Sequence, residues 1–171
     1  MEKVDKILVP IDFSPCSEAA LSYAVFLSGQ LKATLLLVHV IPPLGYPIDF
    51  ATVQPLAYQE FKKGTAVALE KSAERWRREG IPIETHLLKG EPEIEIGAAA
   101  AHLECDLIVM GTHGRKGMAH LLMGSVAEKV VRSAPVPVVT IRTEIPFVME
   151  QKVPSQQEES AYGAEAGSVC F

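Results

Sequence analysis

Hydrophobic positions along this chain fall into short unbroken runs, separated by longer segments in which they recur every three or four residues. The runs are Lys6 to Ile11 (KILVPI), Thr34 to Ile41 (TLLLVHVI), Asp106 to Met110 (DLIVM) and Val136 to Ile141 (VPVVTI). In the first three, short branched runs without alternation predict strands buried on both faces, as in the interior of a parallel sheet. Ile81 to Leu88 differs: Ile81, Ile83, Thr85 and Leu87 share one face of an alternating pattern, which predicts a strand nearer a sheet edge. Between the runs, Pro15 to Leu31 carries Ala19, Ala20, Tyr23, Ala24, Phe26 and Leu27 at helical spacing. Ser14 supplies an N-cap hydroxyl, Pro15 suits the first helical position, and Gly29 lies near the end. Tyr58 to Arg78 is a second helix, ending at Gly80, and Gly90-Glu91-Pro92 opens a third that runs to about Glu104 with Ile94, Ala98, Ala101 and His102 on one face. Ser125 to Arg132 is the last. Five strands alternating with four helices predict an α/β fold, a parallel sheet covered on both faces and wound by right-handed crossovers.

Two segments break this rhythm. Pro42-Pro43-Leu44-Gly45-Tyr46-Pro47 opens a stretch without regular structure that reaches about Ala57, long enough to be a candidate lid. Beyond Thr143 the composition turns small, polar and acidic, so the expected division is a domain over 1–142 and an extension over 143–171, in which Phe147, Val148 and Met149 are suited to clip onto a neighbouring subunit. With 171 residues, 48% of them hydrophobic, the chain is long enough for one sizeable core.

Charge and rare residues narrow the class. The net charge is −5, and the one basic cluster, Arg75, Arg77 and Arg78, is interrupted by Trp76 and followed by Glu79. That is a solvated helix face, and a nucleic-acid partner is not expected. No apolar run approaches the ~18 residues of a membrane span, and Glu2, Lys3, Asp5 and Lys6 do not resemble a signal peptide, so a cytoplasmic protein without a membrane partner is expected. Cys16, Cys105 and Cys170 show no ligand spacing; the first two are expected to pack as small apolar groups, and a redox role stays open for Cys170. The five histidines include no i, i+4 pair, so no zinc site is expected, and His39, inside an apolar strand, reads as a satisfied core histidine.

The chemistry concentrates after the fourth strand. Gly111-Thr112-His113-Gly114-Arg115-Lys116-Gly117 follows it directly, and Gly124-Ser125 heads the next helix. Glycines allow φ > 0 and let backbone N–H groups approach a ligand, while a helix N-terminus adds unpaired donors and a partial positive charge. This is the layout of a phosphate site; a flexible glycine-rich surface loop is the alternative. In open α/β sheets ligands settle beyond the carboxyl ends of the strands where strand order reverses. The strands ending in Pro10-Ile11-Asp12 and in Met110-Gly111 are the candidates for that position. The Asp12 carboxylate suits ribose hydroxyls; a helix cap or a turn is its other reading.

Val9-Pro10-Ile11-Asp12-Phe13-Ser14, the His39-Val40 strand end and the spacing Gly111-x2-Gly114-x9-Gly124-Ser125 together resemble the universal stress protein family, from about Val4 to Arg142. The gapped glycine pattern is that of the family's nucleotide-binding branch. The resemblance implies a Rossmann-like, open five-stranded parallel sheet of order 3-2-1-4-5, a homodimer, and ATP in the crevice, with AMP or ADP as alternatives and Mg2+ or Mn2+ held through the phosphates only. Asp12 would then hold the ribose, Ile11 and Val40 would meet adenine through their backbones beside Pro10 and Met110, and Gly111, Gly114, Gly124 and Ser125 would cradle phosphates. His113, Arg115 and Val126 sit beside those positions and offer an imidazole, a cation and an amide. Ile11 stands where the family often has a small or polar residue, and the tail is longer than the family core.

Turnover is not expected from these residues. Phosphoryl transfer needs a metal holder and a group that orients the nucleophile, and the chain has no GxxxxGK[ST], HIGH or SGGxDS pattern. The expected function is an ATP-binding regulatory or stress-protective homodimer, with at most weak hydrolysis or self-phosphorylation involving His113 or Ser125. A nucleotide-free protein-interaction module with an unknown partner is the alternative. A receiver domain is disfavoured, because Leu87-Leu88-Lys89 stands where a phosphoacceptor aspartate would follow strand three. Pro137 marks Val136 to Ile141 as an edge strand, and two such edges pairing about a two-fold axis are the expected dimer contact.

Overall fold

The computed structural model describes residues 3–43, 55–113 and 123–142. In chain order they form β1 (Lys6–Pro10), α1 (Pro15–Leu31), β2 (Thr34–Ile41), α2 (Pro55–Arg78), β3 (Ile83–Lys89), α3 (Pro92–His102), β4 (Leu107–Gly111), α4 (Ser125–Ser133) and β5 (Val138–Ile141). The strands make one parallel sheet of order β3-β2-β1-β4-β5. β1 lies at its centre, with Ile7 level with Leu35 of β2 and Leu107 of β4.

The unbroken apolar runs follow from this arrangement, since side chains of a strand alternate between faces and here both faces are covered. Ile7, Val9, Leu35, Leu37 and Val109 pack under Ala20, Leu21 and Ala24 of α1 and Leu69 and Ala73 of α2. Leu8, Leu36, Val38, Ile108 and Met110 pack on the other face, against Ile96, Ala99 and Ala100 of α3 and Ala127 and Val130 of α4. β3 and β5 are the two edges, as their alternation and proline predict. The Pro137 carbonyl still accepts the Ile108 N–H (3.0 Å).

Helix faces and ends depart from expectation in three places. Ile94, Ala98, Ala101 and His102 do share a face of α3, but it is the solvent face, with Ile94 63% exposed; the core face is Ile96, Ala99 and Ala100. α1 is closed by Lys32 in the left-handed region (φ 60°), whose N–H meets the Ser28 carbonyl, not by Gly29, and Phe26 is exposed. α2 begins at Pro55, three residues before the predicted start, so 42–54 of the candidate lid remains; of this, 44–54 lies outside the described residues, as does everything from 143 on. The arginine cluster is the expected solvated face: Arg75 pairs with Glu79, Arg78 with Glu74 and Arg77 with Glu70.

Candidate functional site

Strand order reverses between β1 and β4, so the crevice beyond their carboxyl ends lies beside the turn into α1, the end of β2 and the head of α4. On the β1 side, the apolar residues meet this region through backbone alone. Ile11 is 3% exposed and buries its side chain against α1, Met110 and Val40 bury theirs on the α3–α4 face, and Pro10 ends β1 half-buried. The bulk of Ile11 therefore goes into the core. Its N–H donates to the Val38 carbonyl (2.8 Å), and its carbonyl lies 2.6 Å from Nδ1 of His39. A carbonyl only accepts, so Nδ1 carries the proton, and buried His39 is the satisfied core histidine expected.

Asp12 takes up its alternative reading, at least with one oxygen. Oδ1 accepts the Ser14 N–H (3.1 Å), and the Asp12 N–H donates to Ser17 Oγ (3.3 Å). Ser14 is the N-cap of α1, its hydroxyl accepting the Ser17 N–H (3.2 Å). A carboxylate has about four acceptor sites, so a turn bond and a ligand contact are compatible on one side chain. Phe13 between them sits at φ 64°, a region that non-glycine residues seldom occupy, and its ring lies 4.8 Å from that of His39. Phe13 carries no sequence signal for this, because left-handed geometry at an aromatic is imposed by its surroundings.

On the β4 side the glycines act differently from the expected way. Neither Gly111 nor Gly124 has positive φ; among the described glycines only Gly80 and Gly90 do. Their requirement is space. A Cβ on Gly111 would lie 2.9 Å from Cys16 Sγ and 3.0 Å from the Cys16 backbone, so Gly111 lets the first turn of α1 sit against β4. A Cβ on Gly124 would lie 3.1 Å from the Thr112 carbonyl. That carbonyl accepts the Gly124 N–H at 2.7 Å, which ties the head of α4 to the end of β4. Gly124 is the N-cap of α4 and offers no side-chain cap, so the following amides of the first turn, Ser125 and Val126 among them, receive nothing from it. Ser125 is exposed and Val126 half-buried against the core.

Thr112, which sequence reasoning passed over, is buried between these parts: its N–H donates to the Ile141 carbonyl (2.8 Å) and its hydroxyl lies 2.9 Å from Nδ1 of His113. Gly114 and Arg115 lie outside the described residues. Cys16 and Cys105 are buried free thiols, and burial pushes the Cys105 thiol up to about 11, which suits packing and not redox work. Cys170 lies outside the described residues. Among the described residues no three His, Cys, Asp or Glu side chains gather to hold a metal, and no helix is long and apolar enough to cross a membrane.

Sheet order, switch-point crevice and a glycine-headed helix define an open, doubly wound α/β fold. Residues 3–142 match the model of the universal stress protein family. The chain belongs to that family. It is 33% identical over 142 residues to the universal stress protein MJ0531 of Methanocaldococcus jannaschii, covering 80% of this chain and 81% of that one. The structure of UspA from Lactobacillus plantarum superposes with a TM-score of 0.69 at 29% identity, over 83% of this chain and all of the other. That of the hypothetical protein MJ0577 gives 0.72 at 25%, over 83% and 98%. The same fold, at 21% and 24% identity and TM-scores of 0.61 and 0.51, is seen in a universal stress protein in complex with cAMP and in one from Archaeoglobus fulgidus in complex with dAMP; each match covers 82% of this chain, and 98% and 99% of the other.

Proposed function

We propose that this chain binds an adenine nucleotide, ATP before AMP or ADP, in the β1–β4 crevice, and works as a nucleotide-responsive regulatory or stress-protective homodimer. The observation that carries the reading is the head of α4, drawn to the end of β4 by the Gly124–Thr112 bond, with a missing Cβ at Gly124 and no side-chain cap. An uncapped helix start holds unpaired N–H donors and a partial positive charge, which suit a polyphosphate. In this reading Ser125 and Val126 donate amides, His113, Gly114 and Arg115 complete the phosphate side, Asp12 accepts from ribose, and the backbones of Ile11 and Val40 flank the base. Gly111 contributes by letting α1 approach and Gly124 by leaving room. Mg2+ or Mn2+ would enter on the phosphates. Fold relatives solved with cAMP and with dAMP accord with this reading.

The nucleotide unit in this reading is 1–142, in a cytoplasmic protein, with 143–171 as an extension. Binding without efficient turnover is the chemistry proposed. Titration calorimetry with ATP, AMP and adenosine tests it: low-micromolar or tighter ATP affinity is expected, and heats indistinguishable from dilution for all three would end the reading.

The homodimer is assigned to the Val136–Ile141 edge. β5 pairs with β4 on one side, and Val138 to Ile141 are half-buried in the single chain. Val139→Lys is expected to convert a dimer to a monomer or an aggregate in sedimentation; a wild-type monomer at micromolar concentration would remove this part of the proposal.

A further inference from the structure

The apolar face of α3 that the sequence marks looks outward. Ile94 is 63% exposed, and Ala98 and Ala101 are exposed beside it. Gly97 joins them, since positions 94, 97, 98 and 101 fall on one side of a helix. Towards α4 this face becomes one wall of a groove of about 670 Å³, with Arg132 and Pro135 on the other wall. Lys129 of α4 donates to the Glu93 carboxylate (2.5 Å), which holds the two walls together.

Gly97 is the informative residue. Glycine is a poor choice for a helix interior, where it costs more backbone entropy than any other residue and packs no side chain. At Gly111 and Gly124 the chain's own backbone crowds out a Cβ, but at Gly97 a Cβ would meet nothing within 4 Å. Packing within one chain therefore gives no reason for the missing side chain, whereas a second helix laid on this face would. The face also fits itself. About a two-fold axis between Gly97 and Ala98, an antiparallel copy of α3 sets each Ile94 over the Ala101 of the other copy. The two smallest residues then lie at the crossing, where helix axes come to the short end of their usual range of about 8–10 Å. Charge agrees with that orientation. The first turn of α3 carries Glu93 and Glu95, its last turn His102, and the last turn of α4 Arg132, so the acidic start of one copy meets the basic end of the other. The helix dipoles oppose as well.

We propose that this seam docks a second copy of the chain, α3 against α3. The contact is separate from the β5 edge and does not rest on the nucleotide reading. Helices of 11 residues bury little, so it belongs with the small, weak interfaces, with a dissociation constant on the order of 100 µM.

Sedimentation equilibrium of the full chain from about 10 µM to about 1 mM tests it, because mass action should raise the mean mass towards twice its micromolar value, whether that value is one copy or two. Gly97→Leu begins in open space and replaces glycine by a good helix former, so it should keep or raise the melting temperature while abolishing the rise in mass. Ile94→Lys, at an exposed residue, should abolish it too. Gly64→Leu, at an equally open glycine of α2, should leave it intact. In a Cys170→Ser background, Ala98→Cys puts a thiol beside the axis, and mild oxidation should join chains in pairs. Val67→Cys, at a position of α2 that is 68% exposed, should not. A mass that stays constant, a rise that survives Gly97→Leu or is lost equally with Gly64→Leu, or cross-linking at 67 as ready as at 98 would overturn the proposal and leave the groove to an occupant of other chemistry.

Discussion

α1 and α4 both start beside the carboxyl end of a central strand, yet their first turns are finished in opposite ways. α1 is closed by its own sequence: Ser14 caps it, Asp12 braces Ser14, and Pro15 at its start has no N–H to satisfy. α4 starts at a glycine, which has no side chain to cap with and whose N–H donates to the Thr112 carbonyl. A helix end that the chain completes has little to offer an anion. One that the chain leaves open is an anion site wherever solvent or ligand reaches it. The contrast is why the proposed reading puts phosphates on the α4 side of the crevice and hydroxyls and base on the α1 side.

The largest effect should come from filling the open side. Gly124→Gln puts a side chain where the Thr112 carbonyl is already 3.1 Å from a bare Cβ, and ATP affinity should fall by about 3 kcal/mol or more, the loss of several charge-assisted bonds. Calorimetry that finds the affinity unchanged would remove the phosphates from α4. The fold should survive, since a Cβ at 3.1 Å asks the Thr112 carbonyl to give by only a few tenths of an ångström.

Asp12→Ala probes the closed side. It should weaken ATP and adenosine alike by about 1.5–3 kcal/mol, the range for a hydrogen bond to a charged group. A loss confined to phosphate-bearing ligands would instead place Asp12 near a metal and blur the distinction between the two sides. Because Oδ1 also holds the Ser14 N–H, thermal melts belong beside the titrations.

Gly111→Ala tests the approach of α1 to β4, and should destabilise the fold by about 1–3 kcal/mol through a Cβ under 3 Å from Cys16 Sγ. An unaltered melt would mean that the first turn of α1 moves freely. The smallest effect is expected at Ser14→Ala, about 1 kcal/mol of stability from the lost cap, with nucleotide affinity nearly unchanged. A marked loss of ATP binding there would show that the α1 end also serves the ligand.

Much of this was legible before any coordinates. The order of strands and helices could be read because two-sided burial leaves a distinctive mark, runs such as Leu35-Leu36-Leu37-Val38 in which every residue is buried. The edges could be read from the alternation of Ile81 to Leu88 and from Pro137. The buried face of α3 could not. Ile94, Ile96, Gly97 and a row of alanines surround most of that helix with small apolar groups, so composition does not set its rotation about its own axis. Only the docking of Ile96, Ala99 and Ala100 on the sheet does.

The glycines divide the same way. Their spacing marked the β4 loop and the start of α4 as special, because residues without a Cβ rarely cluster at a strand end without cause. Why they are needed was decided in three dimensions. Gly111 answers to Cys16, 95 positions earlier in the chain, and Gly124 to Thr112, 12 positions earlier. The left-handed turn at Phe13, the ring of His39 against it and the hydroxyl of Thr112 beside His113 belong to the same class. The sequence by itself determined which segments are buried and where backbone must come close, since hydrophobic period and missing side chains are local properties. What those segments come close to depended on the tertiary structure alone, since contacts between distant residues exist only once the sheet has been assembled.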